Sequence, residues 1–411
     1  MITYKEAINI LSEALQPLPT SKMASEQAHG VLAGDLISTI EVPGFSNSAM
    51  DGFAVRSIET NGANAENPVT LEVRGCILAG ELAPEIDQRE SCCEIMTGSI
   101  MPIGFDAVIP VEQVDITDED GRAFILVNQS VHTGRNVRFS GEDFKPGQTV
   151  AKKGQLLNPH ILMAIIANKI DTVSVYRPPK IGILTTGSEL ETGNQEETRP
   201  TIPNTNGPFL QSSIRRMGVP CNGTVSVGDS SPMIQKKIQD FMDLESDIII
   251  ISGGVSAGKV DFVPDALLAL NADILFHKVW IRPGKPILMA KLPAGQFVFG
   301  LPGNPVSVAV GFRFFVNQAI RILQGQTLER PIYAINKTEF NKPEKFCFFA
   351  KAQTEYTQSG SLEATVLPGQ ESFKLSPFYR ANSWMVLPEG SNVIKAGERI
   401  QVVPLHPGEA I

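Results

Sequence analysis

The chain has 411 residues, and at about 150 residues per domain this length predicts about three domains. Its composition is 42% hydrophobic and 19% charged, which is typical of a soluble globular protein, and its apolar runs are shorter than a membrane span. The net charge of −9 argues against bulk attraction to nucleic acid or an anionic membrane, so an anionic ligand requires a local basic cluster. The five cysteines are odd in number, two are adjacent and none has metal-ligand spacing, so a reducing, cytoplasmic compartment fits best.

The N-terminal segment predicts a helix and not a signal peptide, because Thr3 and Glu6 have the spacing of a capping box. The apolar residues of this helix fall on one face: Ala7, Leu11, Ala14 and Leu15. Residues 25–37 predict a second helix. A segment rich in Pro, Gly, Ser and Asn follows, and we expect it to form a loop that leads Asp51 into a strand.

Residues from about 68 to 150 alternate short β-like pieces with turn residues, which predicts an all-β module. Thr97 lies inside this module, and the run RNVRFSGED contains Arg138 and Asp143. This run either binds an anion or forms a solvated turn, and composition alone favours the turn. Residues 159–170 return to a helical pattern, before a proline-rich linker introduces a new domain.

From residue 180, strand and helix patterns alternate, which predicts a doubly wound sheet with helices near 208–217 and 232–243. The β-branched run at 248–251 predicts a strand buried on both faces. Acidic residues follow the ends of three strands: Glu189, Asp229 and Asp261. Ligands bind outside the carboxyl ends of such strands, so this pattern favours a metal or acid/base site.

The glycine-rich loop after the third strand matches the pattern G-x-x-x-x-G-K from Gly253 to Lys259. A nucleotide P-loop requires a Ser or Thr hydroxyl at the next position, where this chain has Val260. Pro264 also stands where the phosphate-capping helix should already have begun. These departures disfavour a P-loop, and the remaining interpretations are a ligand site and a tight turn with a solvated Asp261.

Lys278, Arg282 and Lys285 form the local basic cluster that an anionic ligand requires. Beyond the next strand, Asn304 fits the N-cap of a helix that extends to about 323, with Pro305 in its first turn. This helix would direct its amino end toward bound anions, although Pro302 and Pro305 equally fit an ordinary helix start. Residues 331–411 predict a second β module.

Seven motifs, in this order, resemble the molybdopterin molybdenumtransferase (MoeA) family, whose eukaryotic relatives include the gephyrin E domain: VPGFSNSAMDGFAV, IMTGSIMP, GED, TTGSEL, SGGVSAGKVDF, RPGKP and GLPGNPVS. The resemblance covers essentially the whole chain. It implies a central doubly wound, MoaB/MogA-like α/β domain together with all-β modules. The implied domains are a discontinuous helical N-terminal domain (1–44 and 145–177), an inserted β domain (45–144), the α/β domain (178–328) and a C-terminal β-barrel-like domain (329–411).

The family inserts molybdenum from molybdate into adenylylated molybdopterin and releases AMP, with Mg²⁺ or a similar divalent cation. The resemblance therefore implies this activity, with molybdate as a substrate. It also implies a cytoplasmic homodimer whose cleft combines the α/β domain of one subunit with the β module of the other. We expect transient contact with molybdopterin adenylyltransferase and molybdoenzyme chaperones, but no binding to nucleic acid or membrane. The alternatives are an adenylyltransferase and a non-catalytic, gephyrin-like scaffold.

The resemblance also assigns site residues, motif by motif. The catalytic set is Asp51, Thr97, Asp143, Glu189, Asp229 and Asp261, of which Glu189 and Asp261 would also hold the metal. The substrate-binding set is Arg138, Thr186, Gly187, Ser188, Ser252, Gly253, Gly254, Lys278, Arg282, Lys285, Pro302, Gly303, Asn304, Pro305 and Ser372. Two positions depart from the family pattern. Arg282 stands where relatives often have Lys, and Asn204, where an acid is frequent, is left out of the site.

Overall fold

The computed structural model describes residues 1–190, 201–255 and 262–409. The chain forms two compact units. The first consists of Met1–Ser21 and Val175–Ile411, and the second of Lys22–Ser174. The predicted site residue Asp261 lies outside the described ranges, together with most of the P-loop-like segment. The division of the chain into four domains stays a prediction.

The helices and strands are numbered in chain order. The helices are α1 (Tyr4–Ala14), α2 (Pro159–Ala167), α3 (Asn206–Arg216), α4 (Ser231–Asp243), α5 (Phe262–Ala269), α6 (Pro305–Gly311), α7 (Asn317–Leu323) and α8 (Leu375–Arg380). The strands are β1 (Thr20–Ala24), β2 (Leu36–Ile37), β3 (Asn47–Ser48), β4 (Gly52–Val55), β5 (Val69–Ile77), β6 (Ser91–Ile95), β7 (Ala107–Pro110), β8 (Val114–Glu119), β9 (Arg122–Val127), β10 (Val137–Arg138), β11 (Thr149–Ala151), β12 (Thr172–Tyr176), β13 (Ile181–Thr186), β14 (Cys221–Val227), β15 (Ile248–Ser252), β16 (Asp273–His277), β17 (Ile281–Arg282), β18 (Leu288–Lys291), β19 (Phe297–Leu301), β20 (Ile332–Asn336), β21 (Phe340–Asn341), β22 (Cys347–Tyr356), β23 (Leu362–Val366), β24 (Ser383–Leu387), β25 (Val393–Ile394) and β26 (Arg399–Pro404).

The predicted N-terminal helix is confirmed as α1. The Glu6 backbone N–H donates to Thr3 Oγ1 at 3.2 Å, and the Thr3 backbone N–H donates to Glu6 Oε2 at 2.8 Å. The capping box is therefore complete, and two of the orphan amide donors at the helix start are satisfied. Ala7 and Leu11 are buried on the apolar face, where α1 joins the core of the first unit.

The predicted helix at residues 25–37 is wrong. Ser25–Gln27 forms a short 3-10 turn, and β2 pairs with β11 in antiparallel fashion. Gly30 has a φ of +91°, in the left-handed region, where a right-handed helix cannot continue. The backbone N–H of Leu32 donates to the Gln155 carbonyl at 2.9 Å, so pairing with a distant segment overrides the local apolar pattern.

A six-stranded sheet organises the first unit, in the order β14-β13-β15-β19-β18-β16. The first four strands are parallel, and β18 and β16 continue the sheet in antiparallel fashion. Every residue of β15 is buried, as predicted. Its side chains alternate between two cores, with Ile248 and Ile250 against α3 and α6, and Ile249 and Ile251 against α4 and α5. Helices on both faces confirm the doubly wound fold.

The helix α5 corrects one argument drawn from the sequence. It begins at Phe262, so Pro264 lies in its first turn. The N–H groups of the first turn have no partner within a helix, and a proline there removes no hydrogen bond. Pro264 is therefore compatible with a helix after the glycine-rich loop, contrary to the prediction. Lys259 and Val260, which precede this helix, lie outside the described residues.

The C-terminal module of the first unit is a closed barrel. The strand order β22-β23-β20-β26-β24 is closed by the pairing of β24 with β22, which confirms the predicted barrel-like domain. Strand β17, from the α/β part of the chain, joins the same sheet parallel to β22. Arg282 pairs there with Phe348, so the RPGKP motif is attached to the barrel.

The second unit contains the predicted inserted β module. Its six-stranded sheet has the order β7-β4-β6-β5-β9-β8, and the small pairs β2 with β11 and β3 with β10 lie outside this sheet. Phe53, Leu71, Ile109 and Ile125 are buried in one of its cores. Strands β4 and β6 are antiparallel, with Gly52 opposite Ile95. This register brings the residue before β4 close to the residues after β6.

One helical stretch in the described ranges, Pro305–Leu323, is long and apolar enough to cross a membrane by length and composition. It consists of α6, a π-helical segment at Phe312–Val316, and α7. Within the structure, 89% of its most apolar window is buried. It packs in the main core of the first unit, as the core helix of a globular protein does.

Candidate active site

An open cleft with a volume of about 900 Å³ lies at the carboxyl ends of β13, β15 and β19. It is lined by the loops that follow these strands, by residues 282–286, and by residues 370–375 of the barrel module. Ten of the predicted site residues line it: Thr186, Glu189, Ser252, Arg282, Lys285, Pro302, Gly303, Asn304, Pro305 and Ser372. Strand-end loops far apart in the sequence therefore meet at one opening, as the doubly wound fold requires.

The loops after β13 and β15 approach each other very closely. A Cβ atom on Gly253 would lie 2.3 Å from the Thr186 carbonyl oxygen, and Gly253 has a φ of +100°. This position therefore excludes any side chain. Gly254, with a φ of +64°, lies beside the Thr186 hydroxyl, which is buried and has no hydrogen-bond partner among the described residues. Within the described part of the chain, Thr186 thus places a polar group without a hydrogen-bond partner next to the cleft.

Asn206 connects two of the loops, and the sequence interpretation did not include it in the site. Its Nδ2 donates to Ser252 Oγ at 2.9 Å and to the Gly303 carbonyl at 2.7 Å. Asn204, which was left out, has a structural role. Its Nδ2 donates to Thr185 Oγ1 and its Oδ1 accepts from the Gly207 N–H at 3.0 Å, so it satisfies the first turn of α3.

Asp229 supports the loop after β13 and does not line the cleft. Its Oδ2 accepts from the Ser188 backbone N–H at 3.2 Å, while the Gly187 N–H donates to the Val227 carbonyl at 3.3 Å. These bonds connect the ends of β13 and β14. Glu189 follows directly and lies in the cleft, so Asp229 acts on the loop that carries Glu189.

Two of the three predicted basic residues line the cleft. Arg282 and Lys285 are exposed, and neither forms a salt bridge within the described ranges. Lys285 Nζ lies 5.7 Å from the centroid of the Trp280 ring, a cation–π distance. Lys278 does not line the cleft, and its backbone N–H donates to the Ile287 carbonyl at 3.0 Å. Among the described residues, the basic cluster at the cleft thus consists of Arg282 and Lys285.

The helix start at α6 is connected to the barrel module. Asn304 occupies the N-cap position, as predicted, but its side chain does not cap the helix. Instead its Nδ2 donates to Ser372 Oγ at 2.9 Å, and the Val306 N–H donates to the Ser372 carbonyl at 3.0 Å. One of the helix-start amides that the sequence assigned to an anion is therefore already bonded within the protein.

The described carboxylates do not form a metal cage, since no group of three metal-ligating side chains is found among the described residues. Glu189 and Glu371 are the acids in the described lining of the cleft, and Glu371 pairs with Lys374 at 2.8 Å. Mg²⁺ is commonly held by one or two carboxylates together with substrate phosphates. Glu189 fits such an arrangement as an oxygen donor at the cleft.

In the second unit, the predicted residues Asp51 and Thr97 contact each other. Asp51 Oδ1 accepts from the Thr97 backbone N–H at 2.7 Å and from its hydroxyl at 2.8 Å. The register of β4 with β6 produces this contact, because Asp51 precedes β4 and Thr97 follows β6. The backbone N–H of Thr97, and then its hydroxyl, lower the pKa of Asp51 below its ordinary value.

Arg138 and Asp143, also in the second unit, are both exposed. Arg138 lies in β10 opposite Asn47, and it has no salt-bridge partner within the part of the chain that the structure describes. The Asp143 backbone N–H donates to the Val42 carbonyl at 2.9 Å. The Arg138 and Asp143 side chains are therefore exposed, although the run that contains them includes strand β10 and half-buried residues.

The barrel segment contributes cleft residues that no local signal identified. Gln370, Glu371 and Phe373 line the cleft beside Ser372, and 64% of Phe373 is exposed. Phe373 is the sole aromatic residue in the described lining of the cleft. In the sequence, Phe373 is a single phenylalanine within a polar stretch, and this pattern is too weak to indicate a site.

Comparison with protein families identifies three regions. The MoeA N-terminal region (domain I and II) matches residues 2–168, a probable molybdopterin binding domain matches residues 182–322, and the MoeA C-terminal region (domain IV) matches residues 333–405. The residues that line the cleft fall in the second and third of these regions. Together with the fold, they define a multidomain protein of the molybdopterin-binding class.

Similar proteins extend over nearly the whole chain. A molybdopterin molybdenumtransferase from Staphylococcus aureus (strain Mu50) is 31% identical over 408 residues, which is 98% of this chain and 95% of that protein. One from Synechococcus elongatus is 32% identical over 409 residues, with coverage of 98% and 99%. The crystal structure of the molybdopterin biosynthesis moeA protein from Pyrococcus horikoshii OT3 has a TM-score of 0.81 and 29% identity, and covers 98% of this chain and 100% of that one.

The chain therefore belongs to the molybdopterin molybdenumtransferase family, the transferases of molybdenum cofactor biosynthesis. The motif resemblance is confirmed along the full length. The adenylyltransferase and scaffold interpretations are not favoured, because the relatives that match from end to end carry the transferase name.

Proposed function

We propose that the cleft binds adenylylated molybdopterin and molybdate, and that the protein inserts molybdenum into the pterin with release of AMP. The observation that carries this proposal is the presence of Arg282 and Lys285 in the cleft, without a salt bridge within the described ranges, in a chain of net charge −9. Cations without an internal carboxylate partner are available to an anionic ligand, and their bonds to oxyanions are strong. The diphosphate bridge of the substrate and molybdate itself are both anions.

The loops around the cleft support the same assignment. Gly253 allows the loop after β15 to pack directly against Thr186 at the edge of the cleft, and the buried Thr186 hydroxyl lacks a partner among the described residues. Asn206 holds the loops of Ser252 and Gly303 in fixed positions. We infer that these groups orient the substrate, and that Arg282 and Lys285 bind its charged oxygens.

We further propose that a divalent cation such as Mg²⁺ binds the substrate phosphates beside Glu189. Asp261, which lies outside the described residues, would be the second carboxylate. When bound, such an ion neutralises charge on the phosphate group that is cleaved. Glu189 supplies an oxygen ligand, and Asp229 holds its loop through Ser188. Asp51, Thr97, Arg138 and Asp143 are proposed to take part in the reaction on the basis of the family motifs.

The test supplies adenylylated molybdopterin, Mg²⁺ and molybdate, and follows AMP release and molybdenum incorporation together. We expect both, with AMP release promoted by molybdate. ATP consumption without metal insertion would instead indicate an adenylyltransferase, and tight pterin binding without turnover would indicate a scaffold. In this assay we expect Glu189→Gln to lose roughly a hundredfold in rate while its melting temperature stays unchanged, because the amide keeps the shape but not the charge.

We propose that the protein is a homodimer in solution. The family resemblance motivates this, and the apolar helix α2 supports it: within the described structure Ile165 is its buried residue, whereas 71% of Met163 and 47% of Ile166 are exposed. Met163 and Ile166 are three residues apart and therefore neighbours on one face of the helix, which a second copy would cover. Light scattering that reports a single 44.5 kDa subunit at micromolar concentration would contradict the proposal.

We infer a cytoplasmic location, with transient contacts to molybdopterin adenylyltransferase, which supplies the substrate, and to molybdoenzyme chaperones, which receive the product. The cysteines are free within the described ranges, which supports a reducing compartment. We propose no nucleic-acid or membrane partner, since the net charge is negative. Cross-linking in cell extracts, with the adenylyltransferase as the bait, is the direct test of the first contact.

A further inference from the structure

Lys351 is fully buried in strand β22, where its exposed fraction is 0%. Its Nζ donates to the Glu371 carbonyl at 3.0 Å and to the Lys374 carbonyl at 3.3 Å. Both acceptors belong to the segment 370–375 that lines the cleft. A lysine is seldom fully buried, because removing its charge from water is costly unless the ammonium group finds acceptors. Here the acceptors are backbone carbonyls of the cleft wall.

The same segment is bonded to the backbone of Lys351. The Lys351 N–H donates to Gln370 Oε1 at 2.9 Å, and Gln370 Nε2 donates back to the Lys351 carbonyl at 2.9 Å. The Leu367 N–H also donates to this carbonyl, at 3.0 Å. Pairing of β22 with β23 begins only at Ala352, so the segment after β23 occupies the place beside Lys351 where the ladder would continue.

The opposite side of the segment reaches the cleft. Ser372 accepts hydrogen bonds from the Asn304 side chain and from the Val306 backbone, and Phe373 projects with 64% of its surface exposed. The segment therefore lies between a buried amine in the barrel and the start of α6. Displacement of its Glu371–Lys374 turn would move Ser372 and Phe373 together.

We propose that Lys351 is a positioning residue, whose buried ammonium group holds the Gln370–Leu375 segment in place so that Ser372 and Phe373 form one wall of the substrate cleft. The proposal rests on the proposed function in so far as the cleft is the substrate site. Lys351 does not line the cleft, so its effect on the reaction would pass through the segment.

Burial lowers the pKa of Lys351 to about 8, and the nearby Glu371 carboxylate offsets part of this effect. A buried charge is weak evidence for stability, because apolar residues of similar volume often stabilise a fold equally well. What an apolar residue cannot supply is directed donation to two carbonyl groups. Lys351→Met should therefore fold and loosen the Glu371–Lys374 turn, while the bonds of Gln370 to the Lys351 backbone remain.

The experiment compares full-length wild-type protein with Lys351→Met. The first measurement needs no substrate: trypsin cleavage after Lys374, whose side chain is 42% exposed, should become roughly tenfold faster in the variant because lost donation to two carbonyls frees the turn. Hydrogen exchange across residues 367–375 should accelerate as well. The second measurement is kinetic, and KM for adenylylated molybdopterin should rise roughly tenfold while kcat stays within about twofold.

Lys337→Met is the matched control, since Lys337 is an exposed lysine of the same barrel that pairs with Glu355 and Glu363. We expect it to match the wild type in all three measurements. Unchanged cleavage, exchange and KM in a folded Lys351→Met variant would overturn the proposal. If Lys351→Met cannot be obtained in a folded form, the proposal is tested on the wild-type protein alone. Rapid trypsin cleavage after Lys374 in the folded wild type would show that the segment is not held in place.

The cleavage and exchange measurements test the anchor separately from the reaction. If the segment loosens in Lys351→Met but neither protein turns over adenylylated molybdopterin, the anchor stands and the proposed function fails. If turnover is present and KM does not change although the segment loosens, the assigned role in positioning the substrate wall fails.

Discussion

The cleft residues of the first unit and the Asp51–Thr97 pair of the second unit are in opposite states. In the first unit, Arg282, Lys285 and Glu189 line the cleft, and none of them forms a salt bridge within the described ranges. In the second unit, Asp51 is already bonded twice to Thr97. The cleft groups are therefore available to a ligand, whereas the orientation of the Asp51 carboxylate is fixed by its own fold. The sequence motifs predicted both groups of site residues, but only the contacts in the structure distinguish the available cleft groups from the fixed Asp51 carboxylate.

The fixed orientation of the Asp51 carboxylate depends on the adjacent Gly52. Substitution of Gly52 is therefore expected to have the largest effect on the difference between the two units. A Cβ atom on Gly52 would lie 2.0 Å from the Ile109 carbonyl oxygen, in the pairing of β4 with β7. Gly52→Ala must therefore displace one strand. We expect a loss of about 3 kcal/mol or more in the free energy of unfolding of this unit, measured by chemical denaturation.

Gly34→Ala is the matched control in the same unit, because no described heavy atom lies within 4 Å of the Cβ position of Gly34. It should change the free energy of unfolding by less than about 0.5 kcal/mol. Equal stability of the two variants would show that β4 and β7 are not packed as closely as the structure indicates.

Most of the fold was predictable because its signals are local. The capping box of Thr3 and Glu6, the buried run of β15, and the alternation of strands and helices each depend on residues close together in sequence. The helix predicted at 25–37 failed for the opposite reason. Its backbone pairs with residues near 150, and Gly30 takes a left-handed conformation that an apolar period does not reveal.

The site residues could be predicted from the sequence only where they lie at the ends of strands. Thr186 and Ser252 are the last residues of β13 and β15, and Glu189 lies just beyond β13, so the sheet topology brings them together. The barrel segment arrives from a separate part of the chain, and no local pattern indicates that Phe373 reaches the cleft. Lys351 was equally hidden, because it lies within a strand run that is buried on both faces.

Arg282 and Lys285, the cleft cations of the first unit, provide a second test of the difference between the two units. Arg282→Gln and Lys285→Gln should each weaken the binding of adenylylated molybdopterin roughly tenfold, because each removes a charge-assisted hydrogen bond to an anion. Wild-type affinity should also fall as salt concentration rises. The measurement is a titration monitored by calorimetry at two ionic strengths.

Lys291→Gln serves as the control for the cations, since Lys291 is an exposed lysine at the end of β18 in the same unit that does not line the cleft. It should bind substrate as the wild type does. If substrate affinity changed neither with the two cleft substitutions nor with salt concentration, Arg282 and Lys285 would be surface charges that bind no ligand. The difference between the two units would then have no bearing on substrate binding.

The smallest expected effect concerns the Asp51 carboxylate itself. Thr97→Val removes the hydroxyl donor and keeps the backbone N–H, which is the larger cause of the lowered pKa. The pKa of Asp51 should therefore move part of the way back toward its ordinary value. Because a lowered pKa stabilises the folded state above the unfolded pKa, and this stabilisation is lost as pH falls through the folded pKa, the stability difference between variant and wild type should shrink in acid.

An NMR titration of the Asp51 carboxyl carbon measures this directly, and Thr117→Val is the control, since Thr117 lies on β8 and has no described side-chain contact with Asp51. The midpoint should move upward in Thr97→Val and stay in place in Thr117→Val. If the titration midpoint of Asp51 is unchanged in Thr97→Val, the hydrogen bond from the Thr97 hydroxyl to Asp51 does not persist in solution. The Thr97 backbone N–H alone would then orient the Asp51 carboxylate, and the two units would differ less than their contacts indicate.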